Sequence, residues 1–146
     1  MNLQRQLDRM ATNSEAIASL TRGIADEERE DFRVRLDFIL HRPGEEWPPI
    51  DPRGWVTARR YNEKCLGPSV ESFLAERARS LAWLRGLGEP DWLTEGTAPF
   101  GKITSGDMFA SWVAHDVLHL RQLVRLQWAL TIRSVEPHAT RYAGEW

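Results

Sequence analysis

Apolar residues recur every three or four positions along three long stretches of the chain, which is the spacing of an amphipathic helix. The first stretch extends from residue 12 to residue 40, and Arg42-Pro43-Gly44 ends it because proline cannot continue a helix. The second extends from residue 68 to residue 87, and the third begins near residue 105. The pattern therefore predicts three long helices, each with one apolar face.

Local signals mark the ends of these helices and add shorter ones. Thr12-Asn13-Ser14-Glu15 fits a capping box, which opens a helix, and a short amphipathic piece precedes it from Leu3 to Met10. Trp55 to Leu66 is predicted to form a short helix. Ser105 or Asp107 is the predicted cap of the last long helix.

Two long loops, residues 45–54 and 89–104, connect the helices, and Trp92 and Phe100 in the second loop are expected to pack onto them. The sequence shows neither an alternating strand pattern nor an internal repeat. The predicted fold is all-α: a four-helix bundle forming a single domain over residues 1–146, with a shortened N-terminal helix and long connecting loops.

Composition and charge narrow the function classes. The 146 residues carry a net charge of −2 with both signs interspersed, which argues against a nucleic-acid partner because no basic stripe is present. We expect no membrane association, since the sequence lacks both an apolar run of bilayer length and a signal peptide. Cys65 is the single cysteine and excludes an internal disulfide, which fits a cytoplasmic protein.

His115 and His119 lie four residues apart in the last predicted helix, so both rings lie on one face and can reach one metal ion. The predicted core face of that helix consists of Met108, Trp112, His115, His119, Leu123 and Leu126. Two other interpretations of this histidine pair stay open besides metal binding. The pair is structural, with each ring bonded to a neighbour, or it belongs to a zinc protease motif, which the shorter Asp116 in place of glutamate disfavours.

Several segments together resemble the DinB-like superfamily of metal-binding four-helix bundles, over about residues 20–146. The likeness is carried by the segments Asp26-Glu27-Glu28-Arg29-Glu30-Asp31-Phe32, Arg59-Arg60-Tyr61-Asn62-Glu63, Trp112-Val113-Ala114-His115-Asp116-Val117-Leu118-His119-Leu120-Arg121-Gln122-Leu123 and Tyr142-Ala143-Gly144-Glu145-Trp146. The resemblance implies a divalent metal, nickel or zinc, bound by three histidines. It also implies activities such as those of thiol-dependent transferases and isomerases.

Two of the three histidines implied by the resemblance match His115 and His119. Gly23 occupies the position of the first one, three residues before the acidic run begins at Asp26. Glu27 and Glu30 lie four and seven residues after Gly23, on the same predicted helix face, and either carboxylate would complete a zinc or iron site. The alternative is that the acidic run is a solvated face.

Other candidate ligands carry less weight. His41 lies about five turns along the helix from Gly23, His138 lies in the tail, and a lone Cys65 is more often a packing residue. The segment Tyr61-Asn62-Glu63 either faces the histidines, where it orients ligands or binds substrate, or forms a structural hydrogen-bond cluster.

Two functions follow from the sequence, and the residues leave the choice open. The first is a metal-dependent enzyme, a thiol-dependent transferase or a hydrolase-type enzyme, that holds its metal at His115, His119 and Glu27 and takes a small-molecule thiol. The second is a degenerate, metal-free bundle that serves as a binding or dimerisation module. We also expect a homodimer, because the piece before Thr12 is too short to cover the helices that follow.

Overall fold

The computed structural model describes residues 23–144. The first helix, α1, is described over residues 23–41 and includes a π-helical segment, Glu28–Phe32, followed by regular helix over Arg33–His41. The remaining elements are α2 (Pro52–Ala58), α3 (Leu66–Gly86), β1 (Glu95–Ala98), β2 (Gly101–Thr104), α4 (Ser105–Val135) and two 3-10 turns, Tyr61–Glu63 and Arg141–Ala143.

The predicted all-α fold is confirmed, because three long helices, α1, α3 and α4, dominate the part of the chain that the structure describes. The predicted capping box at residues 12–15 and the amphipathic piece at residues 3–10 lie outside the described residues. Within residues 23–144, no helix has both the length and the apolar character that crossing a bilayer requires.

Helix α1 contacts both α3 and α4, and it uses a different kind of surface for each. Toward α4, Leu36 and Ile39 are fully buried against Met108 and Trp112, which form the apolar core. Toward α3, the contact is ionic: the carboxylate of Glu76 is buried and paired with several arginines. Arg29 (3.1 Å) and Arg33 (3.2 Å) reach it from α1, and Arg79 (2.5 Å) pairs with it from α3 itself. The site described below lies where α1 meets α4.

The second predicted loop, residues 89–104, is a loop only up to residue 94, and a short antiparallel hairpin, β1–β2, forms the rest of it. Glu95 pairs with Thr104 and Ala98 with Gly101, and Gly101 takes a positive φ of 124° that favours glycine at the turn. The expectation for the aromatic residues of this loop is half right. Trp92 stacks on Phe109 with ring centroids 5.2 Å apart, but Phe100 is 78% exposed at the tip of the hairpin.

Two predicted helix boundaries differ from those in the structure. The first is the N-terminus of α4. Thr104, and not Ser105 or Asp107, is the N-cap of α4: its hydroxyl accepts from the Asp107 backbone N–H, and the Asp107 carboxylate accepts from the Thr104 backbone N–H. Ser105 is fully buried and its hydroxyl donates to the carbonyl oxygen of Asp91.

The second correction concerns the helix predicted at residues 55–66. Helix α2 begins earlier, at Pro52, because the Asp51 side chain caps it by accepting from the Gly54 backbone N–H at 2.9 Å. It ends at Ala58, and the chain then turns at Arg60, whose φ of 52° lies in the left-handed region.

Replacing Gly96 with alanine is expected to destabilise the fold by about 1–3 kcal/mol through overpacking. A Cβ at this position would lie 2.7 Å from Cγ1 of Ile39, which is fully buried in the apolar core. Urea unfolding measures the loss. Gly67→Ala is the control, because a Cβ there meets nothing within 4 Å; we expect that variant to match or exceed wild-type stability. Equal stability of the two variants would mean that Ile39 is not packed as described.

Candidate metal centre

His115 and His119 lie on the face of α4 that meets α1. Their ring centroids are 4.2 Å apart and the rings are nearly perpendicular, as expected for residues one helical turn apart. His119 is buried and His115 is half-buried, with the ring of Phe32 from α1 packed 4.7 Å from the His115 ring. The predicted pair therefore forms one cluster at a helix seam.

Glu27 of α1 completes this cluster from the opposite side. Its Oε2 lies 3.1 Å from Nε2 of His119 and 4.0 Å from Nε2 of His115. One ligand atom from each of the three residues lies within 4.8 Å of the other two. The structure thus brings together the three residues that the sequence proposed as a metal site.

The acidic run of α1 is not a solvated face over its first residues, because three consecutive carboxylates point to three different partners. Asp26 is buried and accepts from the Tyr61 hydroxyl, Glu27 faces the histidines, and Glu28 accepts from Nε1 of Trp112 at 2.9 Å. The π-helical segment begins at Glu28 and widens the turn there, which shifts the helical register.

The two histidines differ in their affinity for protons. Burial and the neighbouring His119 lower the pKa of His115, so its ring favours the neutral form that binds metals. Burial also acts to lower the pKa of His119, but its hydrogen bonds with Glu27 and Gln122 outweigh that effect and raise the pKa above its usual value. A divalent ion at this site would have to displace that proton.

The donor set fits a divalent transition-metal ion. Two imidazole nitrogens and one carboxylate oxygen form an accepted ligand set for zinc and related ions. Ligand atoms about 2.0–2.1 Å from a tetrahedral zinc lie about 3.3 Å from each other. The Glu27 carboxylate lies 3.1 Å and 4.0 Å from the two histidine nitrogens, and all three ligand atoms lie within 4.8 Å of one another. Around a zinc ion these atoms would have to move together by up to about 1.5 Å.

A second polar network lies beside the cluster and fixes Asp116. Both carboxylate oxygens of Asp116 accept from the Arg77 guanidinium at 2.6 Å, and Arg77 also reaches the buried Glu28 at 3.0 Å. Because this pairing engages both oxygens, Asp116 is not positioned as the free general base of a zinc protease motif. The structure therefore gives no support to the protease alternative.

The remaining sequence candidates lie elsewhere. The Glu30 carboxylate is held by Arg59 at 2.7 and 2.8 Å, His41 bonds Asp37 at 2.9 Å, and Cys65 is exposed. Neither these three nor His138 belongs to a ligand cluster among the described residues.

Tyr61 is part of a structural hydrogen-bond cluster, which is the second of the two roles that the sequence left open for this residue. It is buried and its hydroxyl donates to Asp26, which Arg59 also contacts at 2.6 Å. Burial and the negative charge of Asp26 raise the pKa of Tyr61, so its hydroxyl stays protonated. Asn62 and Glu63 are exposed, and Glu63 pairs with Arg60.

Sequence reasoning missed three residues around the cluster: Glu28, Arg77 and Gln122. Gln122 follows His119 by three positions, which on a helix places it within reach of that ring. Arg77 interrupts the apolar face of α3, and a charge in such a position needs a partner. The sequence therefore contained signals for Gln122 and Arg77, whereas it gave no indication that Glu28 contacts Arg77 and Trp112.

The sequence was also compared with known proteins and protein families. A family model described as the DinB superfamily matches residues 4–123, which is most of the chain. The chain belongs to the DinB superfamily. None of the curated proteins compared with it matches its sequence. The family match confirms the resemblance seen in the sequence, and it covers both the acidic run of α1 and the histidine pair of α4.

Proposed function

We propose that this member of the DinB superfamily binds a divalent transition-metal ion, zinc or nickel, through Glu27, His115 and His119. The observation that carries the proposal is the cluster itself: a carboxylate oxygen and two imidazole nitrogens lie within 4.8 Å of one another at the seam of α1 and α4. Glu27 takes over the function of the histidine that Gly23 replaces, from one helical turn farther along α1.

We further propose that the site serves a thiol-dependent transferase or a hydrolase-type enzyme. A divalent ion acts as a Lewis acid and lowers the pKa of a thiol or a water molecule, which supplies a nucleophile near neutral pH. The chain's own contribution is to orient the ligands. Gln122 holds the Nδ1 side of His119, and Phe32 packs against His115.

Zinc is expected to raise the melting temperature of the wild-type protein, because an ion that binds only the folded state stabilises it. A variant carrying both His115→Ala and His119→Ala should show no such shift. His41→Ala is the matched control, since His41 is exposed and bonds only Asp37 among the contacts described. Differential scanning calorimetry with and without zinc gives the comparison. A zinc-induced shift that survives in the double variant would refute the proposed ligands.

A second candidate function, a metal-free binding or dimerisation module, has one observation in its favour. Both ring nitrogens of His119 already have hydrogen-bond partners, Glu27 at 3.1 Å and Gln122 at 2.9 Å. A protonated His119 is therefore satisfied without a metal. A wild-type melting temperature that stays constant under zinc and nickel titration would favour this candidate over the first.

We also propose that the chain forms a homodimer through α4. Four apolar side chains at positions 113, 117, 120 and 124 form a stripe along this helix, and each is between 47% and 63% exposed. The stripe spans roughly 18 Å, whereas the amphipathic piece predicted at residues 3–10 would span only about 12 Å as a helix. A second copy, related by two-fold symmetry, is the simplest cover for the stripe.

Val117→Arg is expected to convert the dimer to a monomer, because two-fold symmetry places the new charge in the interface twice. Light scattering at micromolar concentration measures the mass against the 16.8 kDa of one chain. Leu93→Arg is the control, since Leu93 is 79% exposed and lies in the loop before β1, outside the apolar stripe of α4. A wild-type mass of one chain, independent of concentration, would rule out the homodimer.

A further inference from the structure

An open cavity of about 240 Å³ lies directly beside His119. Among the described residues, it is lined by Ile24 of α1, Phe73 of α3, and Asp116, His119, Leu120 and Leu123 of α4; of these, Leu120 also belongs to the apolar stripe proposed above as the dimer contact. All three long helices therefore contribute to it. His119 is the residue that this cavity shares with the proposed metal centre.

The walls of the cavity are apolar, and the polar groups at its edge are already engaged. Ile24, Phe73 and Leu123 provide hydrocarbon surface, whereas both oxygens of Asp116 are held by Arg77 at 2.6 Å. A charged ligand group would find no unpaired opposite charge in this lining and would lose its hydration. The lining therefore favours an uncharged, apolar occupant.

The size of the cavity limits that occupant. An apolar protein cavity of about 150 Å³ lined by leucine, isoleucine and phenylalanine binds benzene. A cavity of about 240 Å³ is large enough for one six-membered ring with one or two further atoms attached. Phe73 contributes aromatic surface to this lining, and the Arg77 guanidinium lies over the same ring, 5.4 Å from its centroid.

We infer that this cavity is the subsite for the apolar part of the substrate and that it takes an uncharged aromatic ring. The reacting group of the same molecule, a thiol in the proposed function, would then lie on the His119 side. The assignment of the ring depends only on the cavity, whereas the assignment of the thiol rests on the proposed metal centre. The two parts can therefore be tested separately.

The first test uses the metal-free, full-length protein and toluene as the probe. NMR titration should show saturable binding, with nuclear Overhauser contacts from toluene to the methyl groups of Ile24 and Leu123. Leu123→Gln should weaken binding at least about tenfold, because it places an amide in the apolar wall. Leu118→Gln is the matched control, since Leu118 lies on the same helix but outside the lining, and should leave the affinity within about twofold of wild type.

Two results would overturn the subsite. One is the absence of saturable toluene binding to the wild-type chain, as expected if the N-terminal segment or a second copy fills the cavity. The other is binding without contacts to Ile24 or Leu123. The contacts are measured on the wild-type protein, so a variant that fails to fold does not affect the result.

The second test uses the zinc-loaded protein and two thiols, phenylmethanethiol and 2-mercaptoethanol. Calorimetry should show that phenylmethanethiol binds at least about tenfold more tightly, since only its ring can enter the apolar cavity. Equal affinities would overturn the assigned substrate class even if zinc binds. Toluene binding without any zinc binding would instead refute the metal centre while supporting the apolar subsite.

Discussion

Arg77→Met is expected to lower the free energy of unfolding by about 3–5 kcal/mol, the usual cost of breaking a buried ion pair from one side. The guanidinium of Arg77 contacts Glu28, whose side chain is 2% exposed, and it holds both oxygens of Asp116. Oε1 of Glu28 has no hydrogen-bond partner among the described residues, so the loss of Arg77 would leave a buried carboxylate with Trp112 as its described donor. Urea unfolding followed by circular dichroism measures the effect.

Two further variants separate the buried charge from the loss of side-chain packing. Arg79→Met removes an arginine from the same helix whose side chain is 69% exposed. Its partner Glu76 is buried but keeps Arg29 and Arg33, so the substitution should cost less than about 1 kcal/mol. Adding Glu28→Gln to Arg77→Met should restore part of the stability, because it neutralises the stranded carboxylate. An Arg77→Met protein as stable as the Arg79→Met protein would show that the network does not hold α1 to α3 and α4.

Glu27→Gln is expected to weaken zinc binding more than about 100-fold. The substitution keeps the size of the side chain but replaces an anionic oxygen ligand with a neutral amide. Loss even of a residue that only supports a ligand costs about 10–100-fold in metal affinity, so loss of a ligand should cost more. Competition with a chromophoric chelator at fixed pH measures the affinity, and the pH must be fixed because protons compete for His119.

Glu30→Gln is the matched control for this experiment. Glu30 lies on the same helix and carries the same charge, but its carboxylate is held by Arg59. We expect its zinc affinity to stay within about threefold of wild type, since only long-range charge is lost. If Glu27→Gln and Glu30→Gln lose zinc affinity equally, then Glu27 acts through its negative charge at a distance and does not coordinate the metal.

The helical part of the fold could be predicted from the sequence because the helices are long and their apolar period is regular. The position of α4 and most of its core face followed from that period: Met108, Trp112 and His119 are buried, and Leu123 is half-buried. The β-hairpin could not be predicted in the same way. Its strands have four residues each, and the sequences Glu-Gly-Thr-Ala and Gly-Lys-Ile-Thr show no alternation of apolar and polar residues.

The candidate site was predictable in its residues but not in its surroundings. The spacing of His115 and His119 fixes their common face, and the four-residue step from Gly23 pointed to Glu27. Spacing alone did not distinguish Glu27 from Glu30 as the metal ligand. The π-helical segment begins at Glu28 and changes the direction in which later side chains leave the helix, and this change is not visible in the sequence. The contact of Glu28 with Arg77 joins residues 49 positions apart, a pairing that no local pattern reveals.

The most direct test of the central claim is a crystal structure of the zinc-soaked protein with anomalous data collected at the zinc absorption edge. We predict one strong anomalous peak at the seam of α1 and α4, about 2.0–2.2 Å from a carboxylate oxygen of Glu27 and from one ring nitrogen each of His115 and His119. An ion bound elsewhere, or a seam with His119 still hydrogen-bonded to Glu27 and no anomalous peak, would contradict it.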